Sequence, residues 1–163
     1  TLPDGRTVTV AFDTVYVAAA ATAPLHVSAC HHHQPEHVFV PSLAVHPNGA
    51  CRLDELIVAS DAPAAAAERF AAVAGVAPRH ADGQSAVPLG GAAVLYVAPE
   101  RLRRHWRLAA AVPLAPVPAG IVVGVADPAA CRSWFAAHGV VATAIDGGLL
   151  VDATGARIEF RLG

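Results

Sequence analysis

Residues 120–140 read GIVVGVADPAACRSWFAAHGV, and residues 53–76 read LDELIVASDAPAAAAERFAAVAGV. The two stretches follow one plan. Each opens on an apolar run of strand length, rich in Val and Ile. An aspartate follows, Asp127 or Asp61, with a proline just beyond it, Pro128 or Pro63. A carboxylate there accepts the orphan N–H groups of a helix start, and proline fits the first helical turn. A short helix comes next, carrying Trp134 and Phe135, or Phe70, on its buried face. It stops at Gly139 or Gly75, where a positive φ is cheap.

The parallel runs on. Residues 87–96 (VPLGGAAVLY) and 151–160 (VDATGARIEF) each read as strand, tight turn, strand. Each unit is therefore β-α-β-β-β and about 45 to 50 residues long, inside the range of internal repeats. The spacing places the first module over 52–112 and the second over 120–163. The Pro-rich stretch 113–119 between them is expected to be extended. Chance recurrence of two αβ units in an unrelated α+β fold is the competing reading; the matched order of cap, helix, glycine and hairpin argues against it.

Residues 1–31 differ. The segment TVTVAFDTVYV (7–17) alternates after the turn Pro3-Asp4-Gly5, and residues 25–30 form a second short strand. No helix precedes them, so they read as the back half of a third unit. The chain starts at Thr1 and contains no methionine, which carries the expectation that an N-terminal part has been removed. Strands without a partner leave an exposed edge, which proteins rarely leave bare. A homodimer, or pairing with an absent N-terminal segment, is expected.

Composition sets the remaining limits. Hydrophobic residues are 55% of the 163, charged residues 15%, and the net charge is −2. That supplies a sizeable core and argues against disorder. The only basic group is Arg101, Arg103, Arg104 and Arg107, read as the decoration of a solvated helix or loop, so nucleic acid is not a partner. No apolar run approaches the roughly 20 residues of a spanning helix, and no membrane role is expected. Three scattered cysteines without a CxxC pair suit reduced thiols in the cytoplasm. Cys51 and Cys131 read as small apolar fillers.

The run CHHHQPEHVF at residues 30–39 leads into a His-rich connecting segment, 32–51. It lies too far inside the chain for a purification tag. His31 and His33 share a strand face if the second strand runs on. His33 and His37 have a two-ligand helical spacing, but Pro35 between them opposes a regular helix. Either pair can hold a metal with Glu36 or His46, and imidazoles beside a carboxylate also suit proton transfer near neutral pH. A polar loop whose histidines only bond backbone is the bland alternative. His46-Pro47-Asn48-Gly49-Ala50 reads as a turn that braces the His segment against the first module strand. His80, His105 and His138 carry no pattern and read as surface or helix-end residues.

The paired β-α-β-β-β plan, with its Asp-Pro-like helix starts, resembles the vicinal oxygen chelate superfamily, which includes the glyoxalases. Leu53-Asp54-Glu55-Leu56-Ile57-Val58 looks like the first strand of such a module, and Gly155-Ala156-Arg157-Ile158-Glu159-Phe160 like a last strand. The run from Cys30 to Glu36, together with His46-Pro47-Asn48-Gly49-Ala50, is similar to a pattern of bacterial glyoxalase-like domain proteins. The resemblance implies an α+β fold: two modules forming a cup, helices on its convex face, a pocket on its concave face. It implies a small organic ligand and, in metal-using members, a divalent ion held by the first and last strands of each module. Such an ion acts as a Lewis acid on a chelating substrate, with a carboxylate as base.

Transferred to this chain, the first-strand ligand positions fall at Asp54 or Glu55 and at Gly120 or Ile121. The last-strand positions fall at Leu95 and Glu159. At most two carboxylates remain, too few for a closed zinc site. The implied metal set is therefore His31, His33, Glu55 and Glu159, with Glu159, His31 and His33 as catalytic groups. The ion would be Zn, Ni, Mn or Fe, or there is none. Lyase, isomerase or ring-cleaving chemistry on a small molecule is the leading expectation. A non-catalytic binder of a drug or hydrophobic ligand, with a degenerate metal site, is the alternative. Glu159 has a bland reading too, because Arg157, Glu159 and Arg161 share a strand face that water alone could cover.

Overall fold

A computed structural model describes residues 2–109, 116–153 and 156–162. Its centre is an eight-stranded sheet built from two copies of one motif. The first copy is β3 (Ala50–Ala59), α3 (Pro63–Ala74), β4 (Arg79–Ala81), β5 (Gln84–Leu89) and β6 (Ala92–Val97). The second is β7 (Val117–Val125), α5 (Pro128–Ala137), β8 (Ala142–Ile145), β9 (Gly148–Ala153) and β10 (Ala156–Leu162). The strand order is β4-β5-β6-β3-β7-β10-β9-β8. β3 runs parallel to β6 and β7 parallel to β10, while β3 and β7 meet antiparallel at the centre. That arrangement is the pseudo-twofold pairing of β-α-β-β-β modules expected from the repeat.

The local signals explain most of the helix boundaries. Asp127 caps α5, its Oδ1 accepting from the N–H groups of Ala129 at 2.8 Å and Ala130 at 3.0 Å. Asp61 does not cap α3: the cap position is Ala62, and the Ser60 hydroxyl takes the Ala62 N–H instead. Pro63 still occupies the first turn. The long alanine run that follows favours helix on propensity alone. Gly75 ends α3 with φ +69°, a conformation that costs an L side chain about 1–2 kcal/mol.

Strand alternation divides the core between the two faces. On one face, Val58, Val87, Val94 and Tyr96 pack under Ala67 and Phe70 of α3. In the second module Val125, Leu149 and Phe160 pack with Cys131 and Phe135 of α5, and the Phe135 and Phe160 rings meet edge to face at 4.8 Å. On the other face, Ile57, Ala59, Val97, Val122 and Leu150 lie under Leu102 and Trp106. Those two residues belong to α4 (Pro99–His105) and the residue after it. This helix carries Arg101, Arg103 and Arg104, with Arg107 just beyond it, but it is only partly solvated, because Leu102 and Trp106 are buried.

The N-terminal strands form a separate antiparallel pair, β1 (Phe12–Tyr16) and β2 (Ser28–His32). Both are shorter than the alternation predicts, and β2 sits a few residues later. A single helical turn, α1 (Ala19–Thr22), lies between them. Leu25 reaches into the core under α3, which ties the pair to the first module and takes residues 25–27 out of the strand. The turn α2 (Pro35–Val38) starts at Pro35, so His33 lies outside it, and one turn of 3₁₀ helix follows at Pro41–Leu43. Phe12, Val15 and Tyr16 are exposed.

Residues 113–115 of the Pro-rich stretch and the expected turn at Thr154-Gly155 lie outside the described residues. β7 already begins at Val117. Among the described residues, no helix is long and apolar enough to cross a membrane.

Candidate functional site

The concave face holds a cavity of about 420 Å³. Its floor is strand: Glu55 and Ile57 of β3, Leu95 and Val97 of β6, Glu159 and Arg161 of β10. Its roof is α4, through Arg101, Arg104 and His105. Period-two alternation aims Glu55 and Ile57, and likewise Glu159 and Arg161, to one side. Asp54 therefore turns away, where Arg52 Nε holds it at 2.7 Å.

Glu159 is the chemical centre of this face. It is only 2% exposed, and a buried carboxylate needs donors. Three side chains supply them. Trp106 Nε1–H donates to Oε2 at 3.0 Å, and His105 Nε2 lies 2.9 Å from the same oxygen. Arg161 Nη2 reaches Oε1 at 3.4 Å. Arg161 also forks onto Glu55, with Nη1 and Nη2 at 3.3 and 3.2 Å from its two oxygens. Burial alone would lower the Arg161 pKa, but the hydrogen bonds and charge of Glu55, with the charge of Glu159, outweigh it and hold it above the ordinary value. One guanidinium thus joins the carboxylates of both modules.

The strand register settles which residues are equivalent. Ile57 pairs with Leu95 and Val122 with Glu159. Counting back two residues on each first strand makes Glu55 the counterpart of Gly120. A Cβ on Gly120 would collide with the Arg157 carbonyl oxygen and stand 2.9 Å from the Trp106 ring. The indole fills the space that a side chain at position 120 would occupy. The four positions that would surround a metal are therefore Glu55, Leu95, Gly120 and Glu159. The donor set does not fit a resident divalent ion. Two positions offer no ligand atom, and the two carboxylates are already bonded by Arg161, with Glu159 bonded twice more.

His31 and His33 do not join this cavity. They sit on β2 and just after it, across from β1. His33 Nε2 is 2.9 Å from Asp13 Oδ2, and His31 Nδ1 is 4.0 Å from the same oxygen. The four residues expected as one metal set thus fall in two places. Among the described residues, only Asp13, His31 and His33 bring three ligand-type atoms within 4.8 Å of one another. Neither Glu36 nor His46 completes the cluster. His46 Nδ1 instead bonds Asn48 Oδ1 at 2.6 Å, and its ring sits edge-on to Trp134 of α5. The turn at Gly49 takes the Ala126 N–H, so it braces the β7–α5 junction.

The sequence reading missed three residues. His105 and Trp106 carry no local pattern, and their partner lies more than fifty positions away. Asp13 was within reach: aligning the alternating segment antiparallel to the His run sets it opposite His31.

No family model matches the chain, and no curated protein matches it by sequence. Among solved structures it is similar to methylmalonyl-CoA epimerase from Mycobacterium tuberculosis, with a TM-score of 0.51 and 18% identity over 72% of this chain and 91% of that one. It is also matched to lactoylglutathione lyase from Agrobacterium tumefaciens, with a TM-score of 0.28 and 18% identity over 69% and 93%. The first likeness is one of fold; the second carries no argument.

Proposed function

We propose that this chain, which has the vicinal oxygen chelate fold, binds a small organic acid in its concave cavity without a resident metal. The observation that carries this reading is the guanidinium of Arg161 lying between Glu55 and Glu159. It is bonded to both of the carboxylates that a metal would otherwise bind. Two further guanidiniums line the roof. Arg101 is bonded through Nε to the neutral Gln84, and Arg104 has no ion pair among the described residues. Their charge is available to a ligand carboxylate, which guanidinium recognises with two parallel bonds. Ile57, Leu95 and Val97 offer an apolar wall to the rest of the ligand. The volume falls in the range of small-molecule sites.

Thermal unfolding against a panel of short carboxylic acids and their amides tests this. The acids should raise the melting temperature, the amides should not, and Arg104→Ala should abolish the shift. Equal effects of acid and amide would overturn the reading.

A second reading, catalytic rather than passive, is favoured by His105. One ring nitrogen is held by buried Glu159, which fixes the ring as an orienting carboxylate does for a catalytic base. The other has no hydrogen-bond partner among the described residues, and the side chain is 38% exposed. His105 would then take a proton from carbon beside the bound carboxylate. Exchange of that proton in deuterated water, followed by NMR and lost in His105→Gln, separates an enzyme from a binder.

A further inference from the structure

Away from the cavity, β1 and β2 form an isolated two-stranded sheet, a structure that is marginally stable in water on its own. Its exposed face carries a second set of functional groups. Successive side chains alternate, so His31 and His33 point to the same side. The antiparallel register sets Asp13 directly across from His31. The backbone under them is fixed beyond the last ladder pair: the His33 N–H donates to the Ala11 carbonyl at 2.9 Å, and the Ala11 N–H donates to Gln34 Oε1 at 3.0 Å.

We infer that Asp13, His31 and His33 form a divalent transition-metal site that clamps β1 to β2. The donor set is two imidazoles and one carboxylate, which suits Zn²⁺ and its neighbours and leaves positions open to water. The spacing fits. Ligands about 2.0–2.1 Å from a tetrahedral ion lie about 3.4 Å from one another. The two measured separations, 2.9 and 4.0 Å, fall on either side of that value. The His31 and Asp13 side chains are 81% and 75% exposed, so rotation of free side chains closes the difference without moving backbone. Cys30 contributes nothing here, because its thiol lies against Thr14 on the opposite face. The inference is independent of the cavity reading, since it uses none of the cavity's residues.

The test uses the full chain, untagged, titrated with Zn²⁺ by calorimetry, with bound metal checked by plasma mass spectrometry. Near-stoichiometric zinc is expected. Asp13→Asn and the double substitution His31→Ala/His33→Ala should each weaken binding by about tenfold or more. His80→Ala, which removes a different exposed histidine–carboxylate pair, should leave it unchanged. Amide exchange adds a readout specific to clamping: zinc should slow exchange in residues 12–16 and 28–33 and leave β3 and β6 as they were. No zinc uptake, uptake unchanged in the variants, or uptake without slowed exchange would overturn the proposal.

Discussion

The cavity and the N-terminal strand pair hold similar chemical groups, carboxylates beside histidines, under opposite conditions. In the cavity the carboxylate is buried and held by three side chains, Trp106, His105 and Arg161. On the strand pair the carboxylate and imidazoles stand in water and touch mainly each other. A buried charge is kept only where the fold supplies its partners. The cavity cluster is therefore part of the stability of the sheet. The exposed cluster adds little to stability and stays free to exchange its partners for a metal. Burial, rather than residue type, decides which cluster is architecture and which is available.

The sharpest way to break that contrast is Trp106→Ala. The indole is 1% exposed, fills the space over Gly120 and donates to Glu159. Its loss should cost about 3–5 kcal/mol, measured by urea unfolding. A cost below 1 kcal/mol would mean that the roof is not part of the core. Glu159→Gln comes next. The shape is kept, but the amide has one acceptor oxygen for the Trp106 N–H, His105 and Arg161, and its NH₂ group opposes one of them. A loss of about 1–3 kcal/mol follows. A gain in stability would show that the charge itself is costly there.

Gly120→Ala asks whether the asymmetry of the modules is enforced. The new methyl would collide with the Arg157 carbonyl oxygen, and backbone cannot step aside. Overpacking of this kind costs about 1–3 kcal/mol. Gly91→Ala is the matched control: it meets nothing within 4 Å and needs no positive φ. It should change stability by well under 1 kcal/mol.

The legibility of the two regions follows from the same contrast. The modules could be read because their signals are local: strand-length apolar runs, Asp127 at a helix start, Gly75 and Gly139 at helix ends. The His run was legible for the same reason, down to the shared face of His31 and His33. Its third member, Asp13, follows only once β1 is aligned antiparallel to the His run, and that register depends on where β1 and β2 begin. Leu25 shifts that start by burying itself under α3. The cavity was legible only in part. Glu55 and Glu159 were marked by strand position, but His105 and Trp106 reach Glu159 across 54 and 53 residues of chain. No periodicity links such residues. α4 was hidden for a related reason: its arginines look like a solvated surface, while Pro99 and Leu102, with Trp106 just after the helix, mark its buried side.

The smallest expected effect completes the comparison. His33→Ala removes the closest partner of Asp13, at 2.9 Å, from a surface where both groups are open to water. Exposed pairs of this kind contribute little, because solvent screens them and the freed groups hydrate. Stability without metal should change by no more than about 0.5 kcal/mol. The same chemical loss made in the cavity by His105→Ala should cost more, because Glu159 is then left buried with one donor fewer on Oε2. Measured side by side by urea unfolding in a chelating buffer, the two substitutions isolate burial as the variable. Equal costs would show that the strand pair is as deeply coupled to the core as the cavity, and that its exposed cluster is structural after all. A ratio strongly in favour of the cavity leaves the exposed histidines without a stabilising role in the metal-free chain. That is the condition under which a metal would add order instead of replacing it.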